Sequence, residues 1–359
     1  VDGYAYASSD YDLANGSELR VDGEAVAGHS FQGNLSSGSA LRIFTGAVMP
    51  VGLDTVAMQE DVQVEEQDGQ LRVLIPPGLK AGANRRLAGE DTMLGSTLVT
   101  AGARLRPQDV ASAAATGLGT ILCHAPLKVA VFSTGDEILR PGEAFVDGKV
   151  YDANAPMLHG LVATTGAEAV DLGVLPDTCS SVIAALSAAA ETFDAIVISG
   201  GASQGQEDHV VAGIDAIGKR HLWQIAIKPG RPMSFGQIGN CVVLGLPGNP
   251  VAVFVCFLIY VRPVLTRLAG GEWPEPTRFP VVSNFTQKKK AGRREFWRAR
   301  LLHENGRLLV SKFARDGSGL ISSLREADGL IEVGEDVDAV HSGELVNFMP
   351  FSELGLGQL

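Results

Sequence analysis

Apolar residues recur along this chain at more than one spacing, and the changes in spacing divide it. Between positions 60 and 76 they alternate, with Val62 and Val64 before Asp68-Gly69 and Leu71, Val73 and Ile75 after it. Period-two alternation places every second side chain on one face of a pleated strand, and Asp-Gly suits a turn with positive φ at both central positions. The spacing therefore predicts a β-hairpin with a type I′ turn. Residues 1–91, rich in glycine and in short alternating stretches, read as a glycine-rich β domain. Residues 92–126 shift to small, helix-compatible types, with Ala111–Ala115 after Pro107, and read as a helical connector.

From Leu127 the grammar is different. Short β-branched runs each end in a glycine-bearing loop and lead into a helical stretch: Val129–Ser133 into Thr134-Gly135-Asp136-Glu137, Ala195–Ile198 into Ser199-Gly200-Gly201, and Val242–Leu244 into Leu246-Pro247-Gly248-Asn249-Pro250. That alternation predicts a doubly wound α/β domain over 127–271, with helices near 155–165, 179–191 and 251–268. The last is apolar nearly all round at its start and reads as a buried core helix. Beyond Gly270-Gly271, strand patterns at Phe296–Leu302 and Leu308–Val310 flank Asn305-Gly306, so 272–359 reads as a small all-β, barrel-like domain.

Composition narrows the picture. At 359 residues, 45% apolar and 19% charged, the chain exceeds one ordinary domain. Its 29 Lys plus Arg against 41 Asp plus Glu give a formal charge of −12, a field that opposes sequence-independent nucleic-acid binding, so no nucleic-acid partner is expected and any anion site must be local. The longest unbroken apolar run, Val251–Val261, has eleven residues, short of the roughly 18 to 20 that span hydrocarbon, and no membrane association is expected. Cys123, Cys179, Cys241 and Cys256 lie far apart with no CxxC spacing, which argues against a zinc site or a disulfide framework. Residues 1–20 lack the basic start and apolar stretch of a secretory signal, and a cytoplasmic location is expected. With Val1 in first place, the chain is expected to begin inside a longer protein.

In open α/β sheets ligands bind beyond the carboxyl ends of the strands, where the three glycine-bearing loops would converge on one crevice. Glycine admits close backbone approach and a helix start adds partial positive charge, which suits phosphate or another oxyanion; ordinary turn glycines are the alternative. Asp136, Glu137, Glu207 and Asp208 place carboxylates beside such a ligand, either to hold magnesium or to cap helices. Lys228-Pro229-Gly230-Arg231-Pro232 holds two cations in a proline-stiffened loop, as if to hold an anion. In the second cationic stretch Lys288–Lys290 reads as a solvated run, and Arg293 as the better oxyanion contact.

Asp2-Gly3-Tyr4-Ala5, Thr45-Gly46-Ala47-Val48-Met49-Pro50, Gly89-Glu90-Asp91, Ser133–Glu137, Ser199–Gly201, Lys228–Pro232 and Leu246–Pro250 together resemble the ordered motifs of the molybdopterin molybdenumtransferase family, which includes the gephyrin E domain. The resemblance implies a molybdopterin-binding α/β domain and a magnesium-dependent reaction in which molybdate is inserted into adenylylated molybdopterin and AMP leaves. It implies a homodimer with the site at the subunit interface. It assigns catalysis to Asp2, Thr45, Asp91, Glu137 and Asp208, and metal binding to Asp136, Glu137 and Asp208. Substrate binding falls to Thr134, Gly135, Asp177, Ser199, Gly200, Gly201, Lys228, Arg231, Pro247, Gly248, Asn249, Pro250 and Arg293; Asp177 reads equally as a helix cap beside Thr178. Two departures stand out: Gln224 replaces a lysine that some members carry four residues before the Lys228 position, and a further N-terminal segment of the family precedes the point where this chain begins. Molybdopterin adenylyltransferase and a non-catalytic scaffold of the same fold are the alternatives.

Overall fold

The computed structural model describes residues 1–176, 178–200, 209–315 and 317–357. The chain divides into two compact units, Val1–Leu98 and Val99–Leu359.

The first unit is built on a six-stranded sheet in the order Thr55–Met58, Gly3–Tyr6, Ser39–Ile43, Ser17–Ala25, Gln70–Ile75, Gln63–Gln67. Alternation sorts its side chains: Tyr4 and Tyr6 join Leu19, Val73 and Ile75 in one core, while Ala5 joins Leu41, Ile43 and Val56 in another. The expected hairpin is present. Asp68 and Gly69 take φ of 53° and 78°, the left-handed pair that a type I′ turn requires.

In the second unit a six-stranded sheet runs Glu168–Leu175, Lys128–Thr134, Ala195–Ser199, Cys241–Leu246, Ser234–Ile238, Lys219–Trp223. The first four strands are parallel and the last two antiparallel. Helices cover both faces. Asn154–Ala163 and Pro250–Leu268 pack on Val129, Val131, Val197 and Leu244, and Cys179–Ala190 and His209–Ile217 on Ala130, Phe132, Ile196 and Ile198. This is the doubly wound arrangement, and it explains why the central strands read as continuous apolar runs.

The helix Pro250–Leu268 has 19 residues and is long and apolar enough by composition to cross a membrane, but Val251–Leu258, Val261 and Leu265 are buried in the protein core. Pro263 lacks an N–H and its ring crowds the carbonyl four residues back; the helix widens to a π-turn over Phe257–Val261 just before it. The connector is less helical than its composition predicts. Its helix is confined to Pro107–Ala115, because Gly95, Gly102 and Gly117 hold φ of 87°, 82° and 87°, outside the right-handed helical region.

Strands Arg294–Glu304, Arg307–Lys312, Phe279–Ser283, Leu345–Pro350 and Gly329–Val333 pair in that order, and the last closes onto the first to make a five-stranded barrel. Asn305 and Gly306 form its left-handed hairpin turn. The solvated reading of Lys288–Lys290 fails at Lys289, which is buried with its Nζ donating to the carbonyls of Val337, Glu335 and Lys290 at 3.0, 3.3 and 3.4 Å. A short strand, Ile227–Lys228, runs parallel to the start of the first barrel strand, with Lys228 opposite Glu295. It ties the α/β layer to the barrel.

Candidate active site

Strands Lys128–Thr134, Ala195–Ser199 and Cys241–Leu246 are adjacent and parallel, so their carboxyl-end loops must emerge side by side. They enclose a crevice of about 650 Å³ lined by Thr134, Gly135, Glu137, Ser199, Gly200, Gly248, Asn249 and Pro250. Glycine is required at Gly200: φ is +89°, its N–H donates to the Leu246 carbonyl at 3.1 Å, and a Cβ there would stand 2.5 Å from Thr134 Oγ1.

Two residues that motif reading did not single out hold the crevice together. Asn154 Nδ2 donates to Ser199 Oγ and to the Gly248 carbonyl, both at 2.7 Å, joining the start of one helix to two of the loops. Asp152 is 3% exposed. Its Oδ1 accepts from the N–H groups of Asn154 and Ala155 at 2.9 and 3.0 Å, and its Oδ2 from Ser133 Oγ at 2.6 Å and Arg140 at 3.2 Å. With both oxygens engaged, Asp152 organises the helix start. The only sequence signal for this pair is an Asp beside an expected helix N-terminus, which points to a cap and no further.

Glu137 is exposed and lines the crevice; Asp136, its neighbour in the turn, is exposed and does not. Asp177, Gly201 and Asp208 lie outside the described residues. Among the described residues no three His, Cys, Asp or Glu side chains cluster to hold a metal ion. Glu137 alone still fits magnesium's habit of taking one or two carboxylates and completing its shell with phosphate oxygens and water. Thr178, next to Asp177, caps the helix Cys179–Ala190, accepting from the Ser181 N–H at 3.4 Å.

Lys228, Arg231 and Arg293 do not line this crevice. They line a second cavity of about 280 Å³, with Pro247, Val251 and Ala252 in its wall, and Asn249 lines both. The first turn of the helix Pro250–Leu268 thus adds partial positive charge to a cavity already rich in cations. Gly230 holds φ of +113°, and a Cβ there would lie 2.2 Å from Cys256 Sγ; burial pushes that thiol up to about 12, so it stays neutral packing beneath the loop. Gln224, the departure noted above, takes φ of 64° and its N–H donates to the Met233 carbonyl.

In the first unit, strand pairing brings Asp2 and Thr45 together although 43 residues separate them. Gly3 pairs with Ile43, and Asp2 Oδ1 accepts from the Thr45 N–H and Oγ1 at 2.8 and 2.9 Å. These bonds hold the Asp2 carboxyl below the usual carboxylate range. Asp91 is exposed in a bend after Gly89.

Three family models match the chain: the MoeA N-terminal region (domain I and II) at residues 1–117, the probable molybdopterin binding domain at 130–267, and the MoeA C-terminal region (domain IV) at 281–351. A molybdopterin molybdenumtransferase of Haemophilus influenzae is 36% identical over 356 residues, 99% of this chain and 87% of its own, and one of Nostoc is 31% identical over 99% and 77%. The crystal structure of a molybdopterin biosynthesis MoeA protein from Pyrococcus horikoshii OT3 superposes with a TM-score of 0.81 at 30% identity, covering 98% of this chain and 86% of that one. A doubly wound α/β domain with a strand-end crevice, joined to a barrel beside a cationic cavity, is the architecture in question. The chain belongs to the molybdopterin molybdenumtransferase, or MoeA, family.

Proposed function

We propose that this chain is a molybdopterin molybdenumtransferase, inserting molybdenum from molybdate into adenylylated molybdopterin with release of AMP. The observation that carries the reading is the pair of cavities meeting at Asn249, one large, glycine-walled and bordered by a carboxylate, the other small and cationic. The first suits a heterocycle joined to phosphates. Thr134, Gly135, Ser199, Gly200 and Gly248 let ligand atoms approach the ends of the strands closely. The second suits a tetrahedral dianion, because Lys228, Arg231 and Arg293 offer charge-assisted donors to oxyanions. Asn249 in the shared wall would set the oxyanion beside the substrate that receives it.

Magnesium, held by Glu137 with phosphate oxygens and by Asp208 on family grounds, would offset charge on the phosphoanhydride as AMP leaves. Glu137 positions that charge balance, and the cationic loop holds the incoming oxyanion until it is transferred. A cytoplasmic homodimer, with Asp2, Thr45 and Asp91 completing the site across subunits, belongs to the same proposal. Matches to the MoeA N-terminal region at 1–117 and the MoeA C-terminal region at 281–351, on either side of the molybdopterin-binding domain, disfavour the adenylyltransferase alternative.

The test is AMP release from adenylylated molybdopterin with magnesium, with and without molybdate and then with tungstate. Oxyanion-dependent release supports the proposal. A folded protein that releases no AMP returns the scaffold reading, and pyrophosphate formation from ATP and molybdopterin returns the adenylyltransferase.

A further inference from the structure

Glu295 lies behind the cationic cavity and does not line it. Its side chain is 3% exposed, against 42% for Lys228 and 37% for Arg293. Three donors converge on this one carboxylate: Arg293 Nε on Oε1 at 3.0 Å, Trp297 Nε1 on Oε2 at 2.8 Å, and Lys228 Nζ facing Oε2 at 3.6 Å. Lys228 and Glu295 are register partners across the short parallel pairing that joins the α/β layer to the barrel. Two cations from opposite sides of that seam therefore share one buried anchor, while their outer surfaces face the cavity.

We infer that Glu295 is a positioning residue for oxyanion binding: it holds Lys228 and Arg293 against their mutual repulsion so that both present to the same bound dianion. The inference rests on reading the cationic cavity as the oxyanion site. A carboxylate that only balanced charge would have the opposite effect, since it competes with an incoming dianion for the same donors, and removing its charge would tighten binding. Positioning predicts the reverse. An amide has one carbonyl, so glutamine at 295 cannot accept at both Oε1 and Oε2, and either the Arg293 side or the Trp297 and Lys228 side is lost.

The experiment is calorimetric titration of the full chain with molybdate and, separately, with AMP. In Glu295→Gln the molybdate Kd is expected to rise about tenfold, the scale of one charge-assisted hydrogen bond, with the AMP Kd unchanged. Glu295→Asp keeps the charge and both acceptor oxygens but draws them back by one methylene; it is expected to move molybdate binding in the same direction by a smaller factor, and it decides the matter should Glu295→Gln fail to fold. If wild type binds molybdate, Lys228→Ala abolishes that binding, and Glu295→Gln binds as tightly as wild type or more tightly, the positioning role is overturned and the oxyanion site stands. If wild type binds no molybdate, or Lys228→Ala changes nothing, the reading of the cavity itself falls and the inference with it.

Discussion

At Gly200 the backbone is the functional group. Its positive φ and the Thr134 oxygen only 2.5 Å from where a Cβ would sit leave no room for a side chain. Gly200→Ala should lower stability by about 1–3 kcal/mol, the usual range for a non-glycine residue forced into such backbone, and weaken AMP binding as the crevice shifts; urea unfolding and nucleotide titration check the two effects. Glu137 is the contrasting case. It is exposed at the crevice, so Glu137→Ala should leave stability within about 0.5 kcal/mol of wild type while AMP release from adenylylated molybdopterin falls at least about tenfold, the scale of losing one ligand or its support at a metal site. Unaltered release in a folded Glu137→Ala protein removes that residue from the site.

The helix Pro107–Ala115 depends on its first turn. Asp109 pairs with the Arg106 guanidinium at 3.0 Å and accepts from the Arg106 N–H at 2.8 Å, and these bonds, the guanidinium's first, bring its pKa down to about 2. Because the folded-state pKa is depressed, the capping contribution is fully present above the ordinary carboxylate range and is lost as pH falls through about 2. Amide protection factors in Val110–Ala115 should therefore be constant near pH ~5 and fall below pH ~4, and Asp109→Asn should show the lower protection already at neutral pH. Strand and turn elements were readable locally for a related reason. Asp68-Gly69 and Asn305-Gly306 each place two residues of left-handed tolerance between alternating stretches, and both hairpins form there.

In the larger unit one apolar core runs from the parallel sheet through the helix Pro250–Leu268 to the barrel, because Val131 and Leu244 share it with Phe257, Phe296, Leu330 and Met349. Phe257 is fully buried in that core. Phe257→Ala should cost about 3–5 kcal/mol, and the α/β layer and barrel of Val99–Leu359 should unfold in one denaturant transition in both proteins. Separate transitions would show that the shared core does not couple them.

The sequence by itself determined the three strand–loop–helix units and both hairpins. It also drew Thr134, Gly135, Glu137, Ser199, Gly200 and the 248–250 loop into one crevice, since these follow from local periodicity, turn chemistry and the rule that parallel strands share an end. Tertiary structure alone decided the rest. The separation of Lys228, Arg231 and Arg293 into a second cavity depends on a two-residue pairing between distant segments. Asn154 reaches residues 45 and 94 positions away, Glu295 meets Lys228 only through the pairing of the short strand with the barrel, and Lys289 is buried against the carbonyls of Glu335 and Val337, 46 and 48 positions on. Periodicity records how a segment meets water and core; which polar side chains meet each other is settled only when distant backbone segments are packed within hydrogen-bond range.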